Sequence, residues 1–152
     1  ETMIAPIPMP AWAQVVDSRR PPPPVYAWLA VQPGEPVVAE LPMEGIEGIV
    51  ARPAFHESIY LVYSTLHWKP LVNGYAGIEP APYLELREAV RHFPSEAAID
   101  ALRRHDVRFV VVHRGGYGPL KWARIERDLP LFSAALREVT RFDGDTVYEL
   151  MR

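Results

Sequence analysis

The chain has 152 residues and no cysteine. This excludes disulfide bonds, thiolate catalysis and cysteine-ligated zinc, and leaves the redox state of the compartment open. No apolar run approaches the length of about 18 residues that crosses a bilayer, and no signal peptide is visible. The 16 Lys and Arg and the 19 Asp and Glu are spread along the chain. We therefore predict no nucleic-acid-binding surface.

The chain does have enough apolar material for a single core, since 49% of its residues are hydrophobic. We predict one soluble domain over residues 1–152, with residues 1–24 as an extended, proline-rich lead-in. Residues 21–24 are all proline and form a stiff connector, or alternatively a ligand for a proline-binding domain. The first residue is not Met and the first segment reads as a strand entered from upstream. We therefore expect a domain excised from the C-terminus of a larger protein.

Apolar periodicity and turn residues predict an alternation of strands and helices. The predicted helices cover residues 25–30, 55–68, 80–93 and 95–104, and another starts near 120, breaks at Pro130 and resumes at 131–136. The predicted strands cover residues 36–42, 72–75 and 107–113, followed by a hairpin of 138–142 and 146–151. This order predicts an α/β layered sandwich with a mainly parallel, Rossmann-like sheet and an antiparallel C-terminal hairpin at its edge.

The segment 64–77 combines aromatic rings, a histidine, a lysine and two glycines, which is unusual for a plain surface loop. Four side chains would share one face of the preceding helix: His56, Tyr60, Tyr63 and His67. The two histidines would be about 16 Å apart on a straight helix, too far to bind one metal ion. The face therefore packs on the sheet, or it contacts a ligand or partner. We expect Trp68 and Tyr75 to be packing residues that hold the turn against the sheet.

The carboxyl ends of parallel strands are a common place for ligands in open α/β sheets. Three predicted strands would end near Leu41, Asn73 and His113, and their shared edge is rich in donors and ring faces. Six residues form the predicted ligand-binding set, which suits a sugar or a phosphate: His67, Lys69, Asn73, Tyr75, His113 and Arg114. The alternative is that the glycine-rich loop after His113 merely turns the chain.

No constellation of catalytic residues is selected by the sequence. Carboxylate pairs occur at Glu44/Glu47, Glu85/Glu88 and Asp143/Asp145, but the last pair flanks Gly144 and is assigned to turn chemistry. No serine lies in a Gly-x-Ser-x-Gly elbow, and Ser95 is expected to cap the helix that follows it. We predict no catalytic residue, no metal site and no cofactor within this chain.

Five phrases occur in a recognisable order. They are Val-Tyr-Ala-Trp-Leu at 25–29, Val-Ala-Glu-Leu-Pro at 38–42, His-Trp-Lys-Pro-Leu-Val-Asn-Gly-Tyr at 67–75, a Leu- and Glu-rich helix ending in Phe-Pro-Ser at 83–95, and Val-Arg-Phe-Val-Val-Val-His at 107–113. This order resembles the C-terminal soluble domain of bacterial polytopic membrane proteins related to the GT-C glycosyltransferases.

The resemblance implies an extracytoplasmic domain in the cell membrane, joined to the membrane portion of the same polypeptide. The parent would transfer sugars from a polyprenyl-phosphate donor, and its catalytic acids would lie in the membrane portion. We therefore predict a non-catalytic accessory or binding domain whose ligand is a sugar or a polyprenyl-phosphate-sugar. The alternative is a free-standing module that binds a sugar or phosphosugar, and a third reading is an uncharacterised hydrolase.

Overall fold

The computed structural model describes residues 21–44, 57–74 and 79–152. The helices are α1 Pro24–Ala30, α2 Glu57–Ser64, α3 Ala81–Val90, α4 Glu96–Arg104 and α5 Pro119–Asp128. The strands are β1 Val37–Leu41, β2 Val107–His113, β3 Leu136–Arg141 and β4 Asp145–Leu150. Short 3-10 turns cover Arg114–Gly116 and Leu129–Phe132. The predicted lead-in up to residue 20, His56 and Tyr75 lie outside the described residues.

The described strands form one sheet in the order β1-β2-β4-β3. β1 and β2 are parallel, whereas β4 is antiparallel to both β2 and β3. The α/β class and the C-terminal hairpin are as predicted, but the sheet is mixed rather than mainly parallel. The sheet does not show a Rossmann-like arrangement, because the hairpin places the antiparallel strand β4 directly beside β2.

The sheet separates two apolar layers of side chains. On one face, α3, α4 and α5 cover Ala39, Leu41, Val110 and Val112. On the other face, α1 packs with Val38 and Val111. Successive strand residues point to opposite faces, so the near-continuous apolar runs of β1 and β2 supply both layers.

Local signals set several element boundaries. Ser95 caps α4 as predicted, since its Oγ accepts a hydrogen bond from the backbone N–H of Ala98. Gly144 takes the left-handed conformation, with φ of 87°, in the predicted hairpin turn. The expected helical segment after Pro130 is instead a 3-10 turn that leads into β3. None of the described helices is both long and apolar enough to span a membrane.

Candidate functional site

A row of polar side chains crosses the sheet at the carboxyl end of the parallel pair. Glu40 lies in β1, His113 is the last residue of β2, and Asp145 is the first of β4. The Nε2 atom of His113 lies 2.8 Å from Glu40 Oε2, and its Nδ1 atom lies 2.8 Å from Asp145 Oδ1. All three side chains are buried. One imidazole ring therefore joins two carboxylates across three neighbouring strands.

Strand periodicity explains why this Glu40–His113–Asp145 row faces α1 and α2. Each member lies two residues along its strand from a buried valine, so the two side chains share a face. The valines are Val38, Val111 and Val147. The same face is thus apolar beneath α1 and polar at its end.

Asn73 takes the place of a neighbouring strand beside β1. Its Oδ1 accepts a hydrogen bond from the backbone N–H of Glu40 at 2.7 Å, and its Nδ2 donates to the carbonyl of Glu40 at 2.8 Å. In place of the predicted strand at 72–75, the described residues 71–74 have one parallel bridge, between Leu71 and Val38. Asn73 Nδ2 also donates to Glu57 Oε2 at 3.0 Å. The amide therefore ties the start of α2 to β1.

Two tyrosines enclose the row from the helical side. The hydroxyl of Tyr26 in α1 donates to Glu40 Oε2 at 2.8 Å. The ring of Tyr60 in α2 stacks on the His113 imidazole, with 5.1 Å between ring centroids. Both tyrosines are buried. The row is therefore held in the interior on several sides.

The environment of His113 favours the imidazolium form. Burial alone lowers the pKa of His113, but the hydrogen bonds to Asp145 and Glu40, together with their charges, outweigh burial and raise it to about 9. At neutral pH the ring is therefore positively charged between two carboxylates. The positive ring offsets part of the cost of burying the two carboxylates.

Glu57 shows the opposite behaviour for a carboxyl group. Burial raises its pKa to about 8, against the lowering effect of the hydrogen bond from Asn73, and the nearby charge of Glu40 raises it further. At neutral pH Glu57 is therefore mostly protonated. Burial therefore disfavours a negative charge on Glu57.

Three residues of the predicted ligand-binding set gather around Glu40. His113 and Asn73 bind it directly. His67 is also buried, and its ring lies parallel to that of Tyr26, the hydroxyl partner of Glu40, with centroids 6.1 Å apart. All three side chains are buried and do not line an open surface. A ligand-binding role for them stays a prediction.

Lys69 is directed elsewhere. Its ammonium group donates to the carbonyl oxygens of Gln32 and Gly34, at 2.7 and 2.8 Å, in the loop between α1 and β1. Its backbone N–H donates to Nδ1 of His67 at 3.0 Å. Lys69 therefore fastens the 64–70 turn to the amino end of β1.

Arg114 follows β2 and is exposed, with its guanidinium carbon 5.7 Å from the centre of the Trp122 ring in α5. It thus lies beside a different helix from those that cover His113. The sixth member of the set, Tyr75, is outside the described residues. The binding roles of Arg114 and Tyr75 stay predictions.

The packing role expected for Trp68 is wrong. Its side chain is 81% exposed, and its backbone is left-handed with φ of 55°. The backbone N–H of Trp68 donates to the carbonyl of Ser64 at 2.8 Å, just after α2 ends. This turn buries His67 and directs the neighbouring indole outward.

Sequence reasoning missed Glu40, Glu57, Tyr26 and Asp145. A usable signal existed for Glu40, because it is the single charge in an otherwise apolar strand, and such a charge is seldom buried without a partner. Asp145 was assigned to turn chemistry, yet as the first residue of β4 it reaches His113. Nothing local marks Tyr26 or Glu57.

The row is better suited to electrostatic support than to catalysis. Both ring nitrogens of His113 face carboxylates, and the ring is buried, so it does not offer a proton to a molecule at the surface. Glu40 Oε1 is buried and has no hydrogen-bond partner in the described part of the chain. Among the described residues no group of three or more His, Asp or Glu suits a metal ion.

The chain matches no family model and no curated protein sequence. Among solved structures it is similar to the C-terminal globular domain of an oligosaccharyltransferase from Archaeoglobus fulgidus. The TM-score is 0.51 and the sequence identity is 12%, over 84% of this chain and 95% of that one. At this identity the likeness shows the fold alone.

Proposed function

We propose that this chain is a non-catalytic accessory domain of a membrane glycosyltransferase-like protein, on the extracytoplasmic side of the membrane. The observation that carries the proposal is the fold likeness, because it covers nearly the whole of a domain that ends an oligosaccharyltransferase. The resemblance of the five sequence phrases supports it independently.

The chemistry of the interior supports a non-catalytic role. His113, whose pKa is raised, is buried and directed at Glu40 and Asp145, as in a structural network. We expect the purified 152-residue chain to turn over no polyprenyl-phosphate sugar, nucleotide sugar, ester or phosphoester. Turnover that disappears on changing one residue of this chain would contradict the proposal.

Membrane attachment and sidedness can be tested because the chain has no cysteine. In a cysteine-free version of the full-length gene product, Leu120→Cys places a thiol at a position that is 91% exposed. We expect the product in the membrane fraction and the thiol to react with a membrane-impermeant maleimide in intact cells. The matched control, Val111→Cys, is buried and should not react.

Two results would overturn this assignment. If the full-length product were found in the soluble fraction, the proposal that this domain belongs to a membrane protein would be wrong. Labelling of Leu120→Cys only after permeabilisation would place the domain on the cytoplasmic side.

A second candidate is a free-standing module that binds a sugar or phosphosugar. The unpartnered oxygen of Glu40, near His67, Asn73 and His113, favours this candidate. Titration of the labelled chain with sugars and phosphosugars, followed by NMR, tests it. Saturable shifts that begin at these residues would support the module, whereas shifts elsewhere would remove the predicted site.

A further inference from the structure

A polar cleft lies on the opposite face of the sheet from the Glu40–His113–Asp145 row. It is formed by the segment after β1, one side of α3 and the first turn of α5, and its volume is about 450 Å³. Because α5 follows β2, the cleft opens at the carboxyl end of the parallel pair, where open α/β sheets commonly bind ligands. Its size falls within the range of small-molecule sites.

Charges of both signs line this α3–α5 cleft. The cations are Arg87, Arg91 and Lys121, and the carboxylates are Glu44 and Glu88. An anion such as phosphate would meet the two carboxylates, and a cation would meet three positive groups. A ligand with charge of only one sign therefore does not match the whole lining.

A neutral sugar fits this mixture better. Each hydroxyl both donates and accepts hydrogen bonds, so it can accept from a guanidinium or ammonium and donate to a carboxylate. Arg91 Nη1 donates to Glu88 Oε2 at 3.0 Å, and a guanidinium has five N–H donors, so this pair keeps further donors and acceptors. Hydroxyl groups on neighbouring ring carbons match such adjacent donors and acceptors.

The cleft also has apolar walls. Leu84 is 39% exposed and offers an apolar surface for the C–H face of a sugar ring, whereas Met43 beside it is buried. Arg87 is anchored by its ion pair with Glu79, which fixes one side of the cleft. The cleft therefore combines charged side chains with one exposed apolar side chain.

We propose that the α3–α5 cleft binds a neutral sugar of one or two rings. The site uses none of the residues of the Glu40–His113–Asp145 row and requires no membrane attachment. For a ligand of this size on an open site, affinity is expected to be about millimolar.

The test is an NMR titration of the ¹⁵N-labelled 152-residue chain with glucose, N-acetylglucosamine and maltose, and separately with inorganic phosphate. We expect saturable shifts for at least one sugar, centred on Met43, Glu44, Leu84 and Lys121. Phosphate should give no saturable shift there. Absence of saturation by every sugar at about tenfold the expected dissociation constant overturns the proposal, as does tighter binding of phosphate.

Variants separate the cleft from the rest of the surface. Lys121→Ala should weaken the sugar by about tenfold, the size expected for one hydrogen bond to a charged group. Arg127→Ala, at the other end of α5, should leave binding unchanged. Arg91→Ala provides a second test on an exposed side chain, in case Lys121→Ala disturbs the fold. Equal binding by all three variants, or shifts centred on His113, would place the sugar elsewhere and refute the proposal.

Discussion

Two rows of side chains cross the same three strands on the face covered by α1 and α2. One is apolar, with Val38, Val111 and Val147, and the other is the Glu40–His113–Asp145 row, two residues away on each strand. The rows are buried to nearly the same extent but are stabilised differently. Apolar contacts have no fixed direction, so a loss in the first row stays local. In the polar row each side chain needs the next one to balance its charge or hydrogen bonds.

The largest difference between the rows should appear when the shared imidazole is removed. His113→Ala leaves the carboxylates of Glu40 and Asp145 buried without their common partner, and we expect a loss of about 3–5 kcal/mol in unfolding free energy. Urea denaturation at pH 7 measures it. A loss below about 1 kcal/mol would show that the row is not an interdependent unit.

A double-mutant cycle sharpens this result. Glu40→Ala and His113→Ala should be strongly non-additive, because each removes the same contact. Val38→Ala combined with His113→Ala serves as the matched control and should be closer to additive. Equal coupling free energies in both cycles would show that the polar row is no more interdependent than the valine row.

The second prediction concerns pH. The folded pKa of Glu57, about 8, lies above its ordinary value of 4.5, so the folded state binds the proton more tightly. Stability should therefore fall as pH rises from 5 to 8, by about 3.5 kcal/mol at a slope of about 1.4 kcal/mol per pH unit. Glu57→Gln should remove the slope between pH 5 and 6.5 and leave only the contribution of His113 above it, whereas Glu85→Gln on the exposed face of α3 should leave the whole slope unchanged.

His113 extends the same trend to higher pH. Its folded pKa is raised to about 9, so its stabilising charge is fully present below about pH 6.5 and is lost as pH rises through 9. Denaturation of the Glu57→Gln variant between pH 6.5 and 9.5 isolates this step. A stability that rises with pH over this range would contradict the charged imidazole.

The apolar row provides the third prediction. Val111→Ala removes two carbon atoms from a fully buried site, and we expect a loss of about 2 kcal/mol from lost transfer free energy and the cavity. The loss should be the same at pH 6 and pH 8. A strong pH dependence would mean that the valine row also supports the charges.

The smallest effect is expected at Trp68. Since the indole is exposed, Trp68→Ala should change stability by less than about 1 kcal/mol. Trp68→Gly should be at least as stable as the alanine variant, because glycine takes the left-handed backbone without strain. Thermal and urea unfolding compare the two. A loss above about 3 kcal/mol would restore the packing role.

Local patterns were enough to predict several elements. The apolar run of β2, the capping serine of α4 and the Asp-Gly turn of the hairpin each depend on neighbouring residues. By contrast, the pairing that makes the sheet mixed depends on where the hairpin docks, which no short window of sequence contains. The length of α2 was overestimated because the helical spacing continued to His67 while the backbone turned at residues 65–68.

The candidate site was predictable only in part. His67, Asn73 and His113 were expected at one edge, and all three lie around Glu40. Glu40 itself was not singled out, because it lies within an otherwise apolar strand. Its partners are distant in sequence, and His113 is 73 residues away. The prediction that Trp68 is buried was wrong because the direction of its side chain depends on one backbone angle, which composition does not specify.

The separation between the members of the row has a consequence for the newly made chain. β1 leaves the ribosome long before β2, and Asp145 follows His113 by another 32 residues. Contacts between distant segments form slowly, whereas the hairpin of β3 and β4 is local. Glu40 and the apolar faces of α1 and β1 must therefore wait for nearly the whole domain to be synthesised. During that interval they are the surfaces that a chaperone or an aggregating neighbour would meet.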